Sequence, residues 1–271
     1  MRGSGVPVLG LWARRPEAAR AAGTIAGVAA FSSAPPDMLL EAEAVIVAVR
    51  DAAVPEVAQM LLGTGLVNRR HVLIHCTGAI SAEEAFASVR ERVRGVAVMH
   101  PLRAIADERK GIAELRSAVF GVEGDEAGSR AVRALVQAMG GTVLPLASEQ
   151  MATYHAAAAL ASNLMVAVLD GAVSTLMQAG FSEEAAVGAL VPLAKGALDH
   201  VAARGLVAGL TGPVQRGDAD TVRRHLQSLA GNPTVAALYQ QLSQRALQIA
   251  GRGGLAAGSS AAVASVLASK N

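Results

Sequence analysis

At 271 residues the chain is long enough for two ordinary domains, each with its own core, and 52% hydrophobic against 17% charged residues excludes a disordered chain. Aromatics are only 3%, so the core must be built from Ala, Val and Leu, and the single cysteine, Cys76, excludes an intrachain disulfide and a cysteine-based zinc site. The formal charge is +2 from scattered arginines without a basic stripe, which excludes a nucleic-acid surface, and Asp, Glu and His do not cluster at metal-ligand spacing.

The first half alternates strand and helix. Val6–Trp12 is a short apolar run, and Pro16 opens a helix from its first turn. Gly27–Phe31 is a weak strand. Ala44–Val49 (AVIVAV) is a continuous apolar run, as expected of a strand buried on both faces. Val54–Leu62 reads as a helix, His71–His75 as a strand, Ala82–Val93 as a helix and Val96–Met99 as a strand ending in His100-Pro101. Ala118–Val122 and Thr142–Leu146 are two further strands around a helix from Glu126 to Met139. This alternation predicts an α/β domain with a parallel sheet and right-handed crossovers.

From Ser148 onward only helical periodicity is found. Glu149–Gln178 is expected to be one long Ala-rich helix, with Gly180 ending it and Ser182 capping the next. Gly209–Gly217 is a break, Asp218 caps a helix to Ala230, and Pro233 begins another. The tail after Gly251 reads as a loose loop plus a short helix. The expected organisation is therefore an α/β domain over residues 1–147 and an all-α domain over 148–271. No apolar run reaches the roughly 20 residues that span a bilayer, and the N-terminus lacks a signal-peptide core. A soluble cytoplasmic protein is expected.

In an open parallel sheet, ligands sit at the carboxyl ends of the strands. That rule selects Ala13-Arg14-Arg15, Val49-Arg50-Asp51, Thr77-Gly78 after His75-Cys76, and His100. An acid after the second strand of a dinucleotide fold binds the ribose 2′-hydroxyl, whereas arginine accommodates a 2′-phosphate. Arg14 and Arg15, with no acid beside them, point to NADP (NADPH) as cofactor, unless they are merely solvated loop residues. Cys76 reads as a structural thiol. His71, His200 and His225 read as surface residues.

Four motifs in order carry a resemblance: His75-Cys-Thr-Gly-Ala79, Met99-His-Pro-Leu102, Tyr154-His155 through Ser162-Asn163, and Leu210-Thr-Gly-Pro-Val-Gln-Arg-Gly-Asp218. Over about Val6 to Ala250 the chain resembles the bacterial Rossmann-like NADP oxidoreductase-like proteins with a C-terminal helical domain of unknown function. These are distant relatives of pyrroline-5-carboxylate reductase and ketopantoate reductase. The resemblance implies a Rossmann-like sheet, dimerisation through the helical half, and reduction of a small carbonyl or imine substrate, carrying a carboxylate. It also implies a strand, a G-x-G-x-x-G turn and a helix at the start, where the turn would hold the pyrophosphate. Here Gly3, Gly5 and Gly10 lack that spacing, and the first strand and its turn are missing ahead of Val6. Either Val6–Trp12 and Ala44–Val49 close up and pair directly, or the natural protein starts upstream of Met1; the second is expected.

A reductase of C=O or C=N must deliver a hydride and supply a proton. His100 and His155 are the candidate proton donors, since histidine titrates near neutral pH. Ser162 and Asn163 are candidates to hydrogen-bond the substrate, and Arg216 to grip its carboxylate. On one continuous helix His155 and Asn163 would lie about two turns apart on a shared face. Each has a plainer reading: His155 as a core histidine, His100 as a strand end, Asp218 as a helix cap. The alternative to a reductase is a non-catalytic dimeric ligand-binding or scaffold protein derived from the same family.

Overall fold

The structure, a computed structural model, describes residues 4–105, 111 and 113–269. The chain divides into two compact units, Met1–Ser162 and Asn163–Asn271.

The first unit is built on a five-stranded sheet in the order β3 (Ala44–Val47), β4 (Val72–His75), β5 (Gly95–Pro101), β6 (Val119–Gly124) and β7 (Thr142–Pro145). Preceding it are β1 (Leu11–Ala13), α1 (Pro16–Ala26) and β2 (Ala30–Ser32); β1 and β2 form a separate parallel pair. The helices α2 (Val54–Gly63), α3 (Ala82–Phe86) and α4 (Glu126–Ala138) connect the strands. Apolar residues alternate across the sheet as a period of two requires. Leu73, Val96 and Val98 face one core with Leu61 and Phe86. Val72, Ile74, Ala97 and Met99 face a second core with Phe120, Val132 and Val136. Burying each side chain of this size contributes about 1.5–3 kcal/mol. His71, expected at the surface, is fully buried: its Nε2 lies 2.8 Å from the Leu39 carbonyl, and the Asn68 amide donates to its Nδ1. Two polar contacts are what allow a histidine to leave water there.

Two details depart from the sequence reading of this unit, and a third bears on its two alternatives for the strands around the missing segment. β3–β4–β5 are parallel, but β6 runs antiparallel to β5. Leu102 N–H donates to the Val119 carbonyl at 2.9 Å, so the chain enters β6 at the end where it left β5 and needs no crossover. The helix after Ser81 is short, ending at Phe86 before a 3-10 turn at Arg90–Arg92. And among the described strands β1 pairs with β2 and β3 with β4, but β1 and β3 do not pair with each other. Val47 is buried, yet Ala44, Val45 and Ile46 are only half-buried, unlike every residue of β4.

The expected long helix Glu149–Gln178 is interrupted. After a 3-10 turn at Ser148–Gln150 come α5 (Met151–Ala161) and α6 (Asn163–Gln178), separated at Ser162, whose φ −126° and ψ −83° are not helical. The two-turn relation between His155 and Asn163 therefore does not hold. Met151, almost fully buried, anchors α5 in the first unit's core.

The second unit is all-helical: α6, α7 (Glu183–Gly209), α8 (Pro213–Arg216), α9 (Ala219–Ser228), α10 (Pro233–Arg252) and α11 (Ala257–Ala268). Ser182, Asp218 and Asn232 cap α7, α9 and α10 through their side chains. The tail is not loose. Val263, Val266 and Leu267 of α11 are core residues, packed with Val214, Val222 and Leu226. By length and composition alone, residues 148–178 and 183–216 are apolar enough to cross a membrane, although polar residues interrupt each apolar run.

Candidate active site

A cluster of polar side chains forms where β5 ends. His100 is the penultimate residue of β5, and the antiparallel register sets Gly121 of β6 opposite it. From α5, Tyr154 reaches this point: its Oη lies 2.7 Å from His100 Nδ1 and 3.5 Å from the His100 carbonyl. The rings meet edge to face, with centroids 5.5 Å apart. His155, the next residue, lies 5.8 Å from His100 by ring centroids.

Two glycines make this approach possible. A Cβ on Gly121 would stand 2.5 Å from the Tyr154 Oη, so only glycine lets the phenol lie against the strand. A Cβ on Gly78 would stand 2.8 Å from His155 Nδ1 and 2.9 Å from His100 Cε1. The loop after β4 thus brings bare backbone up to both imidazoles. That loop is held in three places: Thr77 Oγ1 accepts from Ala79 N, Ser81 caps α3, and the buried Glu123 accepts from Ala82 N at 2.7 Å. The other oxygen of Glu123 accepts from Ser148 Oγ at 2.6 Å, tying the start of α3 to the approach of α5.

Burial sets the protonation states. It lowers His100 below the usual histidine value, helped by the nearby His155 and opposed by Asp51. Burial pushes His75 down to about 4, outweighing the opposing Ser81 backbone and Asp51. It raises Tyr154 to about 12 against the opposing Gly121 backbone, and Cys76 to about 11. At neutral pH His75 and His100 are neutral, and Tyr154 and Cys76 keep their protons. Three imidazole nitrogens, both of His75 and Nδ1 of His155, are buried without a hydrogen-bond partner. Such orphans are uncommon in a finished core.

His100, His155, Thr77 and Gly78 therefore come together in the first unit. Thr77 and Gly78 are buried. Ala13 ends β1, and Arg14 and Arg15 are exposed at the start of α1; Arg15 lies 3.8 Å from Glu17 in a pair that solvent screens. Val49, Arg50 and Asp51 are exposed after β3. Ser162 sits at the helix interruption. Asn163 and Arg216 are exposed in the second unit, at the start of α6 and the end of α8. Asp218 caps α9, accepting from Thr221 N and from Thr221 Oγ1. Among the described residues no group of His, Cys, Asp and Glu is placed to hold a metal ion.

Sequence reasoning left Tyr154, Gly121 and Glu123 without a role. Each carried a signal: one of only two tyrosines beside a histidine on an alanine run, a glycine inside an apolar strand, and an acid in the same strand.

Residues 118–246 match the family model described as domain of unknown function (DUF2520). A comparison with curated proteins finds no match. Among solved structures, a protein from Thermotoga maritima is 28% identical, with a TM-score of 0.69, covering 89% of this chain and 90% of its own. A pyrroline-5-carboxylate reductase from Coxiella burnetii is 15% identical, with a TM-score of 0.54, covering 88% and 87%. A reductive aminase from Aspergillus terreus, solved with NADPH and ethyl-5-oxohexanoate, is 18% identical, with a TM-score of 0.57, covering 94% and 89%. The fold is thus Rossmann-like α/β followed by a helical region, as found in these reductases.

Proposed function

We propose that the protein is an NADP-dependent oxidoreductase that reduces a small carbonyl or imine substrate bearing a carboxylate, with His100 supplying the proton. The observation that carries this reading is the half-buried His100–Tyr154 pair, 2.7 Å apart, at the carboxyl end of β5 beside the bare backbone of Gly78. A nicotinamide cofactor would supply the hydride. Thr77 and Gly78 suit its nicotinamide end, where a planar ring needs close backbone approach. Arg14 and Arg15 suit a 2′-phosphate, being exposed cations with no buried partner. His100, neutral at physiological pH, carries one N–H to offer the substrate oxygen or nitrogen as the hydride arrives, and solvent returns that proton to the same nitrogen. His155, with a free buried Nδ1, supports substrate binding at the same point.

Between the two ends the fit fails. No described strand–turn–helix junction has G-x-G-x-x-G spacing to hold a pyrophosphate. That observation favours the second reading, a ligand-binding or scaffold protein of the same descent. Titration with NADPH, followed by fluorescence, separates the two. The reductase reading expects binding at least about tenfold tighter than NADH, a difference of about 1.4 kcal/mol, and turnover in a screen of 2-oxo acids and cyclic imines. No NADPH binding by the chain would overturn it.

We also propose a cytoplasmic homodimer formed through the helical half. Leu164, Val166, Leu193 and Leu206 on α6 and α7 are all at least half exposed in the single chain, a surface that a second copy would cover. Light scattering at micromolar concentration should give the mass of two chains; the mass of one would refute it.

A further inference from the structure

The contact between Tyr154 and His100 holds one hydrogen, and the surrounding groups decide which atom owns it. If His100 carried its proton on Nδ1, the phenol oxygen would accept it. The phenol's own hydrogen would then have only the His100 carbonyl at 3.5 Å, beyond good hydrogen-bond range. If instead the phenol donates to Nδ1 at 2.7 Å, its hydrogen has a well-placed acceptor and Nε2–H is left free to be presented. We propose that Gly121 and Tyr154 are positioning residues that fix His100 as the Nε2–H tautomer, so that Nε2–H is the group His100 presents. Gly121 acts by leaving room, because a Cβ there would overlap the phenol. Tyr154 acts through His100 and is not itself the acid. The charged and titratable neighbours of His100 are Tyr154 and His155 from α5, Asp51 after β3, and His75 of β4. The proposal rests on the reductase reading only for the use made of the Nε2–H.

The test is long-range ¹H–¹⁵N correlation of the histidine rings in the intact protein at pH 8, where His100 is neutral. The expected spectrum shows His100 as a single Nε2–H tautomer, with Nδ1 shifted as a hydrogen-bond acceptor. Tyr154→Phe and Gly121→Ala should both move Nδ1 to the free-acceptor position and bring in the Nδ1–H form. His225, whose Nδ1 lies 2.9 Å from Tyr239 Oη in the other unit, is the internal control and should not change. An Nδ1–H signal for His100 in the unaltered protein overturns the proposal. So does Tyr154→Phe that leaves the His100 signals in place while His225 stays native. Should Gly121→Ala disrupt folding, Tyr154→Phe decides alone, since it removes one atom. A separate measurement isolates the parent reading: if His100→Gln keeps NADPH-dependent turnover, His100 is not the proton donor, whereas the tautomer result stands or falls on the spectra.

Discussion

The two units use the same alanine, valine and leucine vocabulary and bury it to very different extents. In the sheet unit Val72, Leu73 and Ile74 are fully buried, with helices over both faces. In the helical unit Gly171 is the one buried residue of the sixteen in α6, and Ala186 and Gly209 are the two buried among the twenty-seven of α7. A parallel strand has two neighbours and two covered faces by construction, so its apolar residues are buried within the chain. A helix that is apolar nearly all round needs as many partners as the chain can provide, and here the chain provides few. Apolar composition alone does not reveal which case applies.

The largest expected effect follows from that contrast. Leu73→Ala removes a fully buried side chain from the middle strand of the parallel set and should cost about 2–5 kcal/mol in chemical denaturation. Leu193, on α7, is 69% exposed. Leu193→Ala should stay within about 0.5 kcal/mol in dilute protein, and fall further behind the unaltered protein as concentration rises and dimers form. Equal costs at every concentration would break the comparison.

Much of the sheet unit was legible because strand periodicity and buried runs leave a strong trace. β4 and β5 fall within a residue or two of where His71–His75 and Val96–Met99 placed them. The direction of β6 was not legible, since strand–helix alternation says nothing about which end a strand is entered from. β3 reads as doubly buried from AVIV, yet three of its four residues are half-exposed, because burial depends on a neighbouring strand and not on the run itself. The helix interruption at Ser162 had no proline or glycine to mark it. That His100 and Gly78 lie close together was legible from their places at strand ends. Tyr154 was not, because its role depends on a register between β5 and β6 that brings Gly121 beside His100.

A second effect is confined to the sheet unit and should be nearly as large. His75 is fully buried with both ring nitrogens unpaired, and burial holds it at about 4 against an ordinary value of 6.5. The folded value lies below the unfolded one, so between these limits the unfolded chain binds the extra proton. Acid therefore favours unfolding. The contribution is intact above about pH 6.5, is lost as pH falls towards 4, and levels off below that. At about 1.4 kcal/mol per pH unit the full loss is about 3 kcal/mol. His75→Leu should remove this part of the acid sensitivity. Denaturation midpoints measured from pH 7.5 to 4 should fall less steeply for the variant than for the unaltered protein. Parallel slopes would mean that His75 has a polar partner in solution.

The smallest effect compares the helix starts of the two units. Ser81 and Ser182 cap α3 and α7 in the same way, each accepting from the backbone N–H three residues on, at 3.1 and 3.2 Å. Only α3 has a second acceptor, because the carboxylate of Glu123 takes the Ala82 N–H. Ser182→Ala leaves the first turn of a long, exposed helix to water and should cost about 1 kcal/mol. Ser81→Ala removes one of two acceptors at a turn whose neighbours Ala82, Ala85 and Phe86 are packed in the core, so the turn keeps its place and the cost should be smaller. Glu123→Gln keeps the side chain's shape but weakens the contact, and combined with Ser81→Ala it should cost more than the two single changes added together, since each covers for the other. Hydrogen exchange of the amides at 82–84 and 183–185 reads both starts in one sample. Faster exchange after Ser81→Ala than after Ser182→Ala would show that Glu123 does not hold α3, and with it the loop that carries Gly78.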